Sequence, residues 1–205
     1  WVTGKTFDET IDRKSGIPNL PQPMRRFCTQ EMKVKPLFEY WRSLNIKAWE
    51  CRFGFRANET RRAKNTNNRL NENGFLTEKG IIGKSKNGNR NKWQEFEYQK
   101  PSYPLIDNNI YKDKIVNFWK DKPVRFAWMN NCVGCMHKQP ILLKKMMDKF
   151  PNKLQWFIDK ENKAKIMKGN TWRQDVEYCN IKKWNTQIEL FEDDFDDCDS
   201  GFCGL

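Results

Sequence analysis

Apolar residues recur at helical spacing in some stretches of this chain and alternate or cluster in others. Val34, Leu37, Phe38, Trp41 and Leu44 fall three or four apart and predict an amphipathic helix over 32–44, with Pro36 where a first turn tolerates it. Residues 49–55 are short, apolar-rich and reach Gly54, as a buried strand running into a loop would. A polar helix or turn follows at 59–64. Residues 65–92 are crowded with Asn, Gly and Lys and predict an exposed loop or insertion. Beyond them 92–98 alternates as a strand does, with Trp93, Phe96 and Tyr98 as its larger apolar members. Pro101 and Pro104 mark a connection, and 111–119 repeats helically through Ile115, Phe118 and Trp119. Three further helices are predicted over about 139–149, 151–168 and 171–191. The expectation is a mixed α/β class with a helical C-terminal third, divided into 1–128 and 129–205.

Composition narrows the function classes. At 205 residues, 38% hydrophobic and 14% aromatic, the chain can build a core and is not a disordered segment. No apolar run approaches the roughly 20 residues a membrane span needs. No basic-then-apolar leader opens the sequence, and it begins with Trp1 rather than Met, as a processed or partial product would. The formal net charge is +12, yet Glu189 to Asp199 carry seven acids and no base, so the rest sums to +19. That excess suits an anionic partner, either nucleic acid or a small phosphorylated ligand, when it is more than a solvated face.

Seven cysteines is a high and odd number, which argues against a secreted disulfide framework and for reduced thiols in the cytoplasm, some of them metal ligands. Cys132-Val-Gly-Cys135 is the strongest local signal, because two thiolates three positions apart can grip one metal from a single turn. A redox dithiol is the competing reading. Zinc and an iron–sulfur cluster are not separable by spacing alone. Cys198 and Cys203 are the natural distal candidates, while Cys51 and Cys179 lie in apolar patterns that suit core residues. His137 is the only histidine; two positions past Cys135 it is a metal-ligand candidate, with a structural role the favoured reading. Gly83-Lys84-Ser85 ends like a phosphate loop, but Glu78 stands where that loop needs its first glycine.

Two basic segments fit an anion. Arg25-Arg26-Phe27-Cys28-Thr29 leads to Lys33 and Lys35 at a predicted helix start, where exposed N–H groups also attract phosphate. Gly54-Phe55-Arg56-Ala57-Asn58-Glu59-Thr60-Arg61-Arg62 places three guanidinium groups around a strand-to-helix turn. These two stretches, together with Lys33-Val-Lys-Pro36-Leu37 and Tyr103-Pro104-Leu105-Ile106, resemble the phosphoadenosine phosphosulfate (PAPS) reductase family, in particular its phage members. The similarity runs from about residue 5 to 160 and resumes at the terminal cysteines.

The resemblance implies an adenine-nucleotide α-hydrolase-like fold, a parallel sheet flanked by helices. It implies an adenylyl-sulfate-type ligand near Lys33 and Arg56, which with Arg26, Arg61 and Arg62 of the two basic segments make the candidate anion-binding set, and a thioredoxin-like reductant as partner. It also implies a 4Fe–4S cluster on Cys28, Cys132, Cys135 and a fourth thiolate, with zinc as the alternative. Thr29 stands where the family has a second cysteine, so Cys198 is expected to complete the set. Cys203-Gly204-Leu205 matches the family's catalytic cysteine motif, although Phe202 replaces its Glu and no His follows. The family's Ser-Gly-Gly-x-Asp-Ser phosphate loop does not occur in these 205 residues, as in a C-terminal portion or a chain that has shed that half. Two alternatives stand beside the reductase: a sulfur-transfer enzyme of the DNA phosphorothioation type, and a non-catalytic nucleotide-fold module.

Overall fold

A computed structural model describes residues 6–12, 16–124 and 132–184. In chain order the elements are α1 (Phe7–Ile11), α2 (Phe27–Thr29), a π-helical turn (Gln30–Val34), α3 (Lys35–Ser43), β1 (Trp49–Arg52), α4 (Thr60–Asn67), β2 (Leu76–Lys84) and β3 (Asn91–Ser102). They continue with α5 (Pro104–Asp107), α6 (Lys112–Trp119), α7 (Pro140–Lys149), α8 (Pro151–Lys168) and α9 (Tyr178–Lys182). Among the described residues no helix is long and apolar enough to cross a membrane.

The chain forms two compact units, and the first is discontinuous. It takes residues 3–34 together with 125–205, while 35–124 make the second. The sequence reading divides the chain once, at 128/129; the observed units instead join the N-terminal stretch to the C-terminal helices.

In the first unit the core is Ile11 and Leu20 from the N-terminal stretch with Leu142, Leu143, Met146, Met147, Leu154, Phe157, Ile158, Trp172, Tyr178 and Ile181 from the other end of the chain. Each aliphatic member contributes about 1.5–3 kcal/mol by leaving water. Phe7 stacks on Trp172 at 6.2 Å and 19°, and Phe157 packs on Trp172 at 5.1 Å. Capping helps: Thr6 and Glu9 close a reciprocal box at the start of α1, and Lys160 bridges Asp8 and Asp12 to α8. Where 171–191 is expected to be one helix, only Tyr178–Lys182 is helical up to Trp184. The cause is Glu161 of α8, which is buried and accepts from the backbone N–H groups of Trp172 (3.0 Å) and Tyr178 (2.7 Å). Those amides bond to a carboxylate instead of to a preceding turn.

The second unit carries a three-stranded sheet in the order β1-β3-β2. β1 runs parallel to β3 with Trp49 opposite Gln99, and β2 runs antiparallel to β3 with Ile81 opposite Trp93. The sheet is therefore mixed rather than wholly parallel. Residues expected as loop over 65–92 supply a full strand, because the Ser85–Arg90 turn folds β2 back on β3: Gly88 N–H donates to the Ser85 carbonyl at 2.8 Å and Gly88 sits at φ +70°. Phe38 of α3 covers the inner face against Phe96 and Tyr98, at 6.1 and 5.8 Å. The Arg42 guanidinium lies 4.4 Å from the Phe96 ring centre and crosses the backbone at Gly80, where an added β-carbon would displace it.

Candidate functional site

In the first unit, α2 and its π-helical extension face the turn that precedes α7. Arg26, Cys28, Thr29, Met32 and Lys33 come from the former, and Cys132, Gly134, Cys135, Met136 and His137 from the latter. They line one cavity of about 100 Å³, whose apolar wall is Phe7, Pro21, Phe157 and Trp172. A π-turn inserts one residue into a helical turn and re-aims the side chains around it, which suits the position of Met32 and Lys33 on this wall.

Two consecutive turns shape the Cys132–Cys135 stretch. Cys135 N–H donates to the Cys132 carbonyl at 3.1 Å, and Lys138 N–H donates to the Cys135 carbonyl at 3.0 Å. Gly134 is needed for packing: a Cβ there would meet the Phe157 ring at 2.6–2.7 Å. The Gly134 carbonyl accepts from the Tyr178 hydroxyl (3.1 Å), and Arg173 Nη1 donates to the carbonyls of Met136 (2.8 Å) and Lys138 (2.9 Å). The loop carrying the thiols is thus pinned from the α8–α9 side by Tyr178 and Arg173. Neither residue is marked by a motif; their aromatic and basic identities make sense only once Gly134 and Met136 lie opposite them.

The three thiols feel one another. Burial pushes the Cys28 thiol up, and negative charge on Cys132 or Cys135 pushes it further, with Thr29 opposing through its backbone and hydroxyl. Cys132, although much of its area is open, is raised by desolvation and then by Cys135, while Lys33 and Lys138 pull it down. His137 is driven down to about 4 by burial and by the charges of Arg26 and Arg173, so it is neutral at pH 7. Thiols that disfavour one another's ionisation are relieved by a shared cation, which binds the thiolate form. Their donor chemistry fits a soft metal or an iron–sulfur cluster. Among the described residues, however, no group of three or more His, Cys, Asp or Glu side chains is gathered so as to hold a metal ion. Cys198 and Cys203 lie outside the described residues.

The other basic segment belongs to the second unit. Glu59 closes the turn after β1: its carboxylate accepts from Arg56 N–H at 2.8 Å and Arg56 Nε at 3.1 Å, and also from Arg62 Nη1. Arg62 also sits 4.3 Å from the Phe55 ring centre, and Phe55 stacks on Tyr103 at 5.8 Å. Arg61 is exposed on α4. Arg26 and Lys33 are thus gathered with the cysteines, whereas Arg56, Arg61 and Arg62 form a separate group organised around a carboxylate. Of the two cysteines read as core residues, Cys179 packs against the first unit's core and Cys51 is half-buried on β1. No family model matches the chain, and neither a curated protein nor a solved structure does.

Proposed function

We propose that the first unit is a thiolate-ligated metal centre beside an anion-binding wall, in a PAPS-reductase-like protein acting on an adenylyl sulfate nucleotide. The observation that carries this is the meeting of Cys28 with Cys132 and Cys135, more than a hundred positions along the chain, on one cavity that Arg26 and Lys33 also line. Cys28, Cys132 and Cys135 would hold the centre, with Cys198 as fourth thiolate and a 4Fe–4S cluster preferred to zinc. When bound, such a centre would neutralise part of the charge of its own thiolates and fix the cysteine loop beside a bound sulfuryl group. Lys33 and Arg26 orient that group by charge-assisted hydrogen bonds. Phe7, Pro21, Phe157 and Trp172 supply an apolar wall beside that group. Cys203 is the nucleophile of this reading, and a thioredoxin-like dithiol its reductant in the cytoplasm. The mixed sheet of the second unit is taken as part of an adenine-nucleotide α-hydrolase-like fold.

The test is anaerobic purification followed by iron, sulfide and zinc analysis with a visible spectrum. Broad absorption that disappears in Cys28→Ser and Cys132→Ser is expected. Colourless, iron-free protein removes the cluster, and one zinc per chain installs the alternative. Adenylyl sulfate titrated into the same protein is expected to bind at least tenfold more weakly to Lys33→Ala.

One observation favours a second reading, a non-catalytic nucleotide-fold module. Arg56 and Arg62 are already matched to Glu59, and in that role they brace a turn rather than a ligand. Under it Arg56→Ala weakens nucleotide binding no more than Arg90→Ala.

A further inference from the structure

We propose that the arm formed by the distal halves of β2 and β3 docks on double-stranded DNA, with its tip in the major groove. The core of the second unit covers the sheet only as far as Phe96 and Gly80. Beyond them Ile81–Lys84 and Asn91–Glu95 are exposed on both faces and joined by the Ser85–Arg90 turn. From Lys79 to Gln94 there are five cations, Lys79, Lys84, Lys86, Arg90 and Lys92, and no acid. None of these five side chains is engaged in an ion pair or hydrogen bond among the described residues, whereas Arg56 and Arg62 are. Glu95, at the root of the arm, accepts from the Thr77 hydroxyl at 2.6 Å.

Three features favour duplex DNA over other polyanions. A two-stranded antiparallel ribbon fits the B-form major groove, about 12 Å wide, whereas the A-form groove of RNA is too narrow for side chains to read. The tip alternates Lys86, Arg90 and Lys92 with Asn87, Asn89 and Asn91, the side-chain types whose donors and acceptors match guanine and adenine edges in that groove. Trp93 and Ile81, cross-strand partners that are 55% and 46% exposed, lie behind the tip and not at it. A membrane-inserting hairpin would have the reverse order, with its apolar residues leading.

The experiment uses the full chain and a fluorescein-labelled 20-base-pair duplex, read by anisotropy across salt. Each phosphate neutralised contributes about −0.9 to the slope of log K against log salt. Replacing Lys84, Lys86, Arg90 and Lys92 by Gln together is expected to weaken binding at least tenfold and to flatten that slope by about 3. These side chains touch no core, so an unchanged melting temperature is expected, and Trp93→Ala is expected to weaken binding without changing the slope. A matched variant neutralising the exposed Lys153, Lys163, Lys168 and Lys183 is expected to bind almost as wild type. An equal loss in that variant overturns the proposal, since net charge alone would then explain binding. So does tighter binding to the corresponding single strand or duplex RNA, or arm-dependent binding to phosphatidylserine vesicles with none to DNA.

Discussion

A β-carbon on residue 134 would lie 2.6–2.7 Å from three atoms of the Phe157 ring, closer than carbon atoms pack. Gly134→Ala must therefore push the ring into a filled core or lift the cysteine loop away from it. A loss of about 1–3 kcal/mol is expected in thermal melts. Trimming the ring with Phe157→Leu should cost less in the Gly134→Ala background than in wild type, and equal costs would mean the clash is relieved elsewhere. At Glu59 the sign of a pH effect is fixed by its neighbours. Burial alone would raise this carboxyl, but the Arg56 amide and the Arg62 and Arg56 guanidiniums hold it below its ordinary value of 4.5. A depressed acid contributes stability that is complete above its unfolded value and is lost as the pH falls through the folded one. Glu59→Gln should thus cost about 2 kcal/mol at pH 7, and the gap to wild type should close on acidification below about 4.5. A gap that does not narrow at all as the pH falls below 4.5 would contradict this role.

Among the elements, α8 and α9 are held together by a device a hydropathy pattern does not reveal. Glu161 occupies a helical position that periodicity assigns to the core face, and it is satisfied there by two main-chain donors from the segment it faces. Glu161→Gln would leave one of those donors against an amide N–H₂ and is expected to cost about 2–3 kcal/mol. Hydrogen exchange should quicken first at the Trp172 and Tyr178 amides; uniform quickening would point to global loosening instead. The same residue explains why the stretch after Gly169 was illegible. Trp172, Val176 and Cys179 sit at helix-like spacing, yet their backbone partners come from elsewhere in the chain. Helices α7 and α8 were readable because each is opened by a proline and carries its own apolar face. β2 has a turn signal of its own, the Ser, Asn and Gly cluster of 85–89 between Ile81-Ile82 and Trp93, which outweighs the polar composition around it. For the site, Cys132 and Cys135 declared themselves by spacing, and Cys28 only through the resemblance. Tyr178 and Arg173, which fix the loop, had no local signature.

On the scale of the whole molecule, two compact units with separate cores predict denaturation in more than one step. A ligand bound only to native protein raises stability by mass action, and here that increment should fall on one unit. In urea, supplying iron with sulfide, or zinc, to reduced protein should shift the transition reported by Trp156 and Trp172, and leave that reported by Trp41 and Trp49 in place. Single-tryptophan variants read each one separately. A common shift of both would mean that the units unfold as one.

The wall of thiols also imposes a schedule. Cys28 leaves the ribosome 104 positions ahead of Cys132, and everything between them includes the whole of the second unit. At about 5–20 residues per second, the first thiol waits roughly 5–20 s for its partners. During that wait it has neither the aromatic cover of Phe157 and Trp172 nor the company of Cys135, so it is open to whatever oxidant or stray metal the cell offers. A cell that makes this protein intact must therefore keep a nascent cysteine reduced for as long as it takes to translate half the chain.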